Sequence, residues 1–242
     1  KHIIKTKSNF ISKKIEGIVL SNEKNLNYFK IKKKIIQKLT KSSVNVKLNS
    51  QLDQSILRYK NYDHVIIAAY KNNNNIIKNL GIKVTNKFRY ELIEKIIIKL
   101  PKKYKKISVV VMDGNFLCLD PYIGTKYHLL SHVKFSKLKV INGYYSKFPK
   151  KYDKKLILTK LKNIKESKFK DFISDGSRYL PFLKKAKYES SFFVVRTLKS
   201  NVEKTSERTN LTKKINKKII TILSGKWNTC VTESYRLLDT LG

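Results

Sequence analysis

Residues 218–241 read KIITILSGKWNTCVTESYRLLDTL, and this stretch decides the class of fold. KIITIL (218–223) is a β-branched run with the length of a buried strand. Ser224-Gly225-Lys226-Trp227-Asn228-Thr229 interrupts it, and a helical period follows with Val231, Tyr235, Leu238 and Leu241 on one face. A helix that starts in a glycine-containing loop straight after a strand aims unpaired N–H groups and a positive dipole end at whatever lies above the strand. Such an end suits an anion or a developing negative charge. Asn228 is placed to cap this helix, and Gly225 to let a ligand approach the backbone closely.

Working outward from that end, Tyr62-Asp63-His64-Val65-Ile66-Ile67-Ala68-Ala69 is nearly continuous in apolar residues, the pattern of a parallel strand buried on both faces. Tyr28, Ile31, Ile35 and Leu39, with Phe29 and Ile36 beside them, predict a lysine-rich helix that begins at an Asn25 cap. Residues 14–20 and the alternation of Val44, Val46 and Leu48 predict short strands. The middle of the chain has another texture. Residues 88–99, 106–119 and 127–135 alternate, and Asp113-Gly114 has the composition of a type I′ hairpin turn. Residues 153–187 carry helical patterns that Pro181 must start or interrupt, and a strand returns at 190–197. The expected class is α/β (α+β mixed). Residues 62–69 and 218–223 belong to one sheet, and 88–135 to another.

Lys and Arg number 54 against 17 Asp and Glu, a formal net charge of +37, and 41% of the 242 residues are hydrophobic, which excludes wholesale disorder. Charge of this size ordinarily points to nucleic acid. Only six of the 54 basic residues are Arg, however, and Arg is the better reader of phosphates and bases. Lys, Asn and Ile together make up 96 of the 242 residues, and all three have A+T-rich codons, so genome base composition accounts for the bias. The expectation is diffuse, solvated charge with no specific nucleic-acid partner. The Asn72–Asn75 run reads as the same compositional drift. No apolar run approaches the ~20 residues of a membrane span. Cys118 and Cys230 form neither a disulfide framework nor a metal knuckle, which fits a reducing, cytoplasmic setting. The chain opens on Lys1, as if cut from something longer.

Three segments, YDHVIIAAY (62–70), residues 91–133, and residues 196–211 with 219–238, resemble in order and spacing one group of proteins. These are the flavin-dependent oxidoreductases of the D-amino-acid oxidase, glycine/sarcosine oxidase and glycerol-3-phosphate dehydrogenase superfamily. The resemblance implies a partial FAD-binding Rossmann-like domain. Its C-terminal portion would be residues 1–80, followed by an inserted antiparallel-sheet substrate domain with helices at 81–200 and a return to the first domain at 201–242. It implies FAD as cofactor, with Ala68 and Ala69 in the turn near it. Gly225, Lys226, Trp227, Asn228 and Thr229 would form the closing loop at the pyrimidine side of the isoalloxazine. Trp227 would cover the flavin or pack against protein. Arg196 and Arg208 fall where the superfamily often sets a guanidinium near a small-molecule substrate, and the reaction would be oxidation of a CH–NH or CH–OH bond. The departures are equally definite. None of the eight glycines forms a GxG pair, so the superfamily's GxGxxG segment would precede Lys1 or have been lost, and this chain alone would hold FAD poorly. Tyr70 stands where the turn ordinarily has Gly. The rival readings are a non-enzymatic lysine-rich nucleic-acid-binding protein and an inactive degenerate fragment.

Other groupings are thinner. His128 and His132 share one face of a strand but lack a third ligand at metal-binding spacing, and read as ordinary sheet histidines. Asp113 and Asp120 are explained by turns at Gly114 and Pro121. Cys118 reads as a small core residue alternating inward with Phe116.

Overall fold

The computed structural model describes residues 3–4, 10–12, 14–50, 52, 62–112, 116–200, 208 and 210–241. Strands β1 (Ile3–Ile4) and β2 (Ile18–Val19) pair antiparallel. Helix α1 (Tyr28–Thr40) starts with the first residue of its apolar period, but Asn27 rather than Asn25 caps it: the Asn27 side chain accepts from the Lys30 N–H at 3.0 Å. Val44, Val46 and Leu48 form no strand and are exposed. Strand β3 (Val65–Ile67) leads through a 3₁₀ turn at Tyr70–Asn72 into α2 (Asn73–Asn79). Strand β4 runs the whole of Phe88–Lys99, the bounds of the alternating segment. Strands β5 (Val109–Val111), β6 (Leu117–Pro121), β7 (His128–His132) and β8 (Lys137–Gly143) follow. Residues 113–115, including the expected Asp113-Gly114 turn, lie outside the described residues, but the flanking β5 and β6 pair antiparallel with Val110 opposite Cys118. Helix α3 (Asp153–Leu158), β9 (Lys160–Leu161) and α4 (Phe169–Gly176) precede a 3₁₀ turn that Pro181 starts. Strand β10 (Lys187–Lys199), β11 (Leu211–Lys214), β12 (Ile219–Leu223) and α5 (Cys230–Leu241) complete the chain.

One sheet has the order β5-β6-β7-β4-β10-β9, with β8 also paired to β4, and another has the order β11-β12-β3. The mixed α/β class and the assignment of 62–69 and 218–223 to one sheet therefore hold, with β3 parallel to β12. The chain divides into two compact units. The first comprises Lys1–Val46, Ile93–Leu138 and Lys154–Val194, the second Lys47–Leu92, Lys139–Asp153 and Val195–Gly242.

In the first unit the register sets Ile96 beside Leu130 and Leu130 beside Leu119, so these side chains share a face. That face is buried with Phe172 of α4 and with Leu180, Phe182 and Leu183. Tyr104 stacks on Phe182 at 4.5 Å between ring centroids. Cys118 departs from the inward placement expected of it. It sits on the opposite face from Leu117 and Leu119, and its thiol donates to Asp120 at 2.9 Å. Burial and that carboxylate push the thiol up to about 12.

His132 and His128 both point into the covered face but meet different surroundings. The Nδ1 of His132 accepts from the Lys134 N–H at 3.2 Å, and Nε2 lies 2.8 Å from Asp175 Oδ2. Among the described residues neither ring nitrogen of His128 has a hydrogen-bond partner, and the side chain is 2% exposed. Burial pulls its imidazole below the usual histidine range, with the Asp120 charge pushing the other way. The unfolded chain binds a proton there near pH ~6.5. The contribution of neutral His128 to stability is thus intact above that pH and is lost as the pH falls toward the folded value. His128→Leu is expected to flatten the fall in Tm below about pH 6.5. Melting curves across that range check it, and an unchanged slope would place the acid sensitivity elsewhere.

Candidate functional site

The predicted cofactor residues come from sequence positions some 150 residues apart, and the parallel register brings them together. Ile219 pairs with Val65, Ile220 with Ile66 and Thr221 with Ile67, so both strands leave the sheet at the same edge. Ala68-Ala69 and Ser224-Gly225 are therefore neighbouring exits at the carboxyl ends of two parallel strands, the location where open α/β sheets hold ligands. Below that edge Ile67, Ile77, Leu80 and Ile219 form a buried core.

Asn73 ties the two exits together. Its side-chain oxygen accepts from the Ala69 N–H at 2.7 Å, while its amide nitrogen donates to the Ile222 carbonyl at 2.8 Å. Asn74 donates to the carbonyls of Asn86 and Tyr144, both at 2.8 Å. Each of these asparagines is 2% exposed, so reading the run as compositional drift is corrected: its two central members are buried and hydrogen-bonded. Tyr70 adopts φ +53°, the left-handed region that glycine favours, at the position where Gly was expected. Its hydroxyl donates to the Thr197 carbonyl at 3.3 Å and accepts from the Thr197 N–H at 3.1 Å, which offsets a backbone cost of about 1–2 kcal/mol. The turn keeps a glycine-like backbone and uses the phenol as an anchor.

Asn210 organises the other exit. Its Oδ1 accepts from the Gly225 N–H at 2.7 Å and from the Thr229 hydroxyl at 3.2 Å. A Cβ on Gly225 would lie 2.5 Å from the carbonyl oxygen of Arg208, so close backbone packing by itself requires glycine here. Asn228 does not cap the helix as expected. Trp227–Thr229 form a 3₁₀ turn ahead of α5, the N-cap position is Lys226, and no side chain caps it. Lys226, Trp227 and Asn228 are exposed, Trp227 to 58%. The expected apolar face of α5 is likewise outward: Val231, Tyr235 and Leu238 are exposed, and the buried residue of the helix is Glu233. Thr212 Oγ1 donates to Glu233 at 3.0 Å and Arg236 at 2.6 Å, so a satisfied carboxylate holds α5 against β11.

The two candidate substrate arginines differ. Arg196 on β10 is tied to Glu91, its Nε lying 2.8 Å from a carboxylate that is 2% exposed and that also takes Arg89 at 2.8 Å. Burying Glu91 demands that pairing, so part of Arg196 is committed to structure. Arg208 is exposed, and its carbonyl oxygen and Cβ lie against the Gly225 loop, 2.5 Å and 3.0 Å from where a Cβ on Gly225 would stand. Among the described residues no cluster of three His, Cys, Asp or Glu side chains could hold a metal.

Sequence reasoning missed Asn73, Asn210 and Glu91. Asn210 stands just before the β11 run LTKK, where an Asx signal was visible, but its partners Gly225 and Thr229 follow 15 and 19 residues later.

No protein-family model matches the sequence, and no curated protein does. Among solved structures, glycine oxidase from Bacillus cereus is similar with 12% identity, 71% coverage of this chain, 41% coverage of that one and a TM-score of 0.44. For glycine oxidase from Geobacillus kaustophilus the values are 11%, 69%, 37% and 0.43. For L-amino acid deaminase from Proteus vulgaris they are 10%, 68%, 44% and 0.43. The chain spans about two fifths of the length of these proteins.

Proposed function

We propose that this chain is part of an FAD-dependent oxidoreductase acting on a CH–NH or CH–OH bond of a small substrate, and that its strand-exit edge closes on the pyrimidine side of the flavin. The observation that carries this reading is the adjacency of the β3 and β12 exits, one of them running into a 3₁₀ turn whose start at Lys226 no side chain caps. Backbone N–H donors and an ammonium group suit the N1 and C2 carbonyl edge of an isoalloxazine, where negative charge develops on reduction. The same residues offer nothing resembling a glycine-rich pyrophosphate cradle, so the fit is to the ring end of FAD alone. When bound, FAD supplies the two-electron redox chemistry. The Gly225–Thr229 turn holds the pyrimidine edge, the Ala68-Ala69 turn lies beside it, and Arg208 or the remaining donors of Arg196 orient a substrate carboxylate.

Lys226→Ala tests this assignment. Removing a cation beside N1 disfavours the charge that reduction places there, so the midpoint potential of the flavin-loaded protein should fall by a few tens of millivolts, ~30 mV corresponding to ~1.4 kcal/mol for a two-electron couple. Flavin content should be unchanged. Spectroelectrochemical titration reads the shift. An unaltered potential removes Lys226 from the site, and a full-length protein carrying this chain whose flavin spectrum is unperturbed at saturating FAD overturns the function.

A further inference from the structure

We propose that α1 is an interfacial helix that lies flat on an anionic lipid surface. The inference is independent of the flavin reading. Helix α1 contributes no buried residue. Tyr28, Phe29, Ile35, Ile36 and Leu39 lie on one side of it and are 37–56% exposed; Phe29 is the member that reaches a neighbouring ring, Tyr122 at 5.6 Å. Lys32 stands among them at helical spacing, and the rest of the stretch 28–41 adds five lysines (30, 33, 34, 38 and 41) and no acid, which makes the lysine density about twice that of the whole chain. The flanks continue the pattern with Val19, Leu20, Leu26, Val44 and Val46 exposed. A helix this one-sided, short of full hydrophobicity and rich in lysine has the composition of helices that rest at the headgroup boundary, apolar side down.

Charge selects the occupant. A second copy would bring together two chains of formal charge +37, which opposes pairing through a lysine-rich helix. Nucleic acid attracts the lysines but offers no apolar floor for Ile35, Ile36 and Leu39. A bilayer bearing anionic lipid supplies both. Its headgroups draw the lysines, whose long stems reach past the apolar stripe, and its acyl boundary takes the isoleucines. No helix among the described residues is long and apolar enough to cross a membrane, so α1 would lie on the surface rather than span it.

Co-sedimentation of the full chain with phosphatidylcholine vesicles, with and without phosphatidylserine, tests the proposal. Binding is expected only with phosphatidylserine. Lys33→Gln and Lys34→Gln should each weaken it about fivefold. Ile35→Gln and Ile36→Gln should each weaken it about tenfold while keeping charge and helix propensity. In a Trp227→Phe background, Leu39→Trp should emit as an exposed indole in solution and shift to the blue on the anionic vesicles. This reporter does not depend on the isoleucine variants folding well. Binding that ignores the isoleucine substitutions, binding to uncharged vesicles as strong as to charged ones, or an already blue-shifted reporter in solution would each overturn it. So would a reporter that shifts with an acidic protein or RNA and not with vesicles.

Discussion

Glu94→Ala is expected to destabilise the protein by about 4 kcal/mol, within the range for stripping a buried charged acceptor from its donors. Glu94 on β4 is fully buried. Its Oε1 accepts from the hydroxyls of Ser167 and Ser191, each at 2.5 Å, and its Oε2 from the Lys168 N–H at 3.0 Å. Lys168 is the N-cap residue of α4 and offers that helix no side-chain cap, so Glu94 supplies the anion at its N-terminus from a distant strand. Ser167 extends the arrangement by accepting from the Phe169 N–H at 3.1 Å. Truncation to Ala leaves three donors facing a void in the first unit. The two serine hydroxyls lie 3.1 Å apart and can partly re-pair, but the Lys168 N–H cannot. Glu94→Gln retains one acceptor oxygen and should cost about half as much. Denaturant midpoints at constant m-value measure both variants. A loss below about 1 kcal/mol for Glu94→Ala would mean that water reaches the carboxylate in solution.

Gly225→Val should cost about 3 kcal/mol and lower flavin occupancy, through two separable effects. The new Cβ would meet the Arg208 carbonyl oxygen at 2.5 Å and its carbon at 2.8 Å, distances that force backbone to move. Moving Gly225 breaks its 2.7 Å hydrogen bond to Asn210, the residue that also holds Thr229 at the start of the turn. Asn210→Ala removes the same hydrogen bonds without steric conflict, so it should loosen the turn at a cost of about 1–2 kcal/mol. If the turn touches the cofactor, both variants lose flavin affinity. If it is an ordinary strand-to-helix connection, Tm falls while flavin affinity stays at the parent value. Flavin titration beside thermal melts distinguishes the two outcomes.

Much of the secondary structure was legible because local rules act within a few residues. The alternating segment 88–99 is β4 to the residue, Pro181 opens a 3₁₀ turn, and an asparagine caps α1, though Asn27 rather than Asn25. Helical period also located α5, but its apolar face was misjudged. Val231, Tyr235 and Leu238 face outward, because the carboxylate of Glu233 finds Thr212 and Arg236 and makes the opposite side the bound one. Strand period marked 106–119 as two strands, yet could not say that Cys118 would meet Asp120 on the less covered face.

The site divides in the same way. Composition and spacing by themselves determined that a strand, a glycine loop and a helix close the chain, and that 62–69 is a strand able to lie beside it. Tertiary structure alone decided what those residues do. Gly225 is glycine because Arg208 passes behind it, Tyr70 holds a left-handed turn because Thr197 takes its hydroxyl, and Asn73 is buried because Ala69 and Ile222 meet over it. The physical reason is common to all three. Helix and strand periods reflect a residue's own neighbours along the chain, whereas burial of a polar group is favourable only if a partner is present, and here the partners lie as far as 149 residues away.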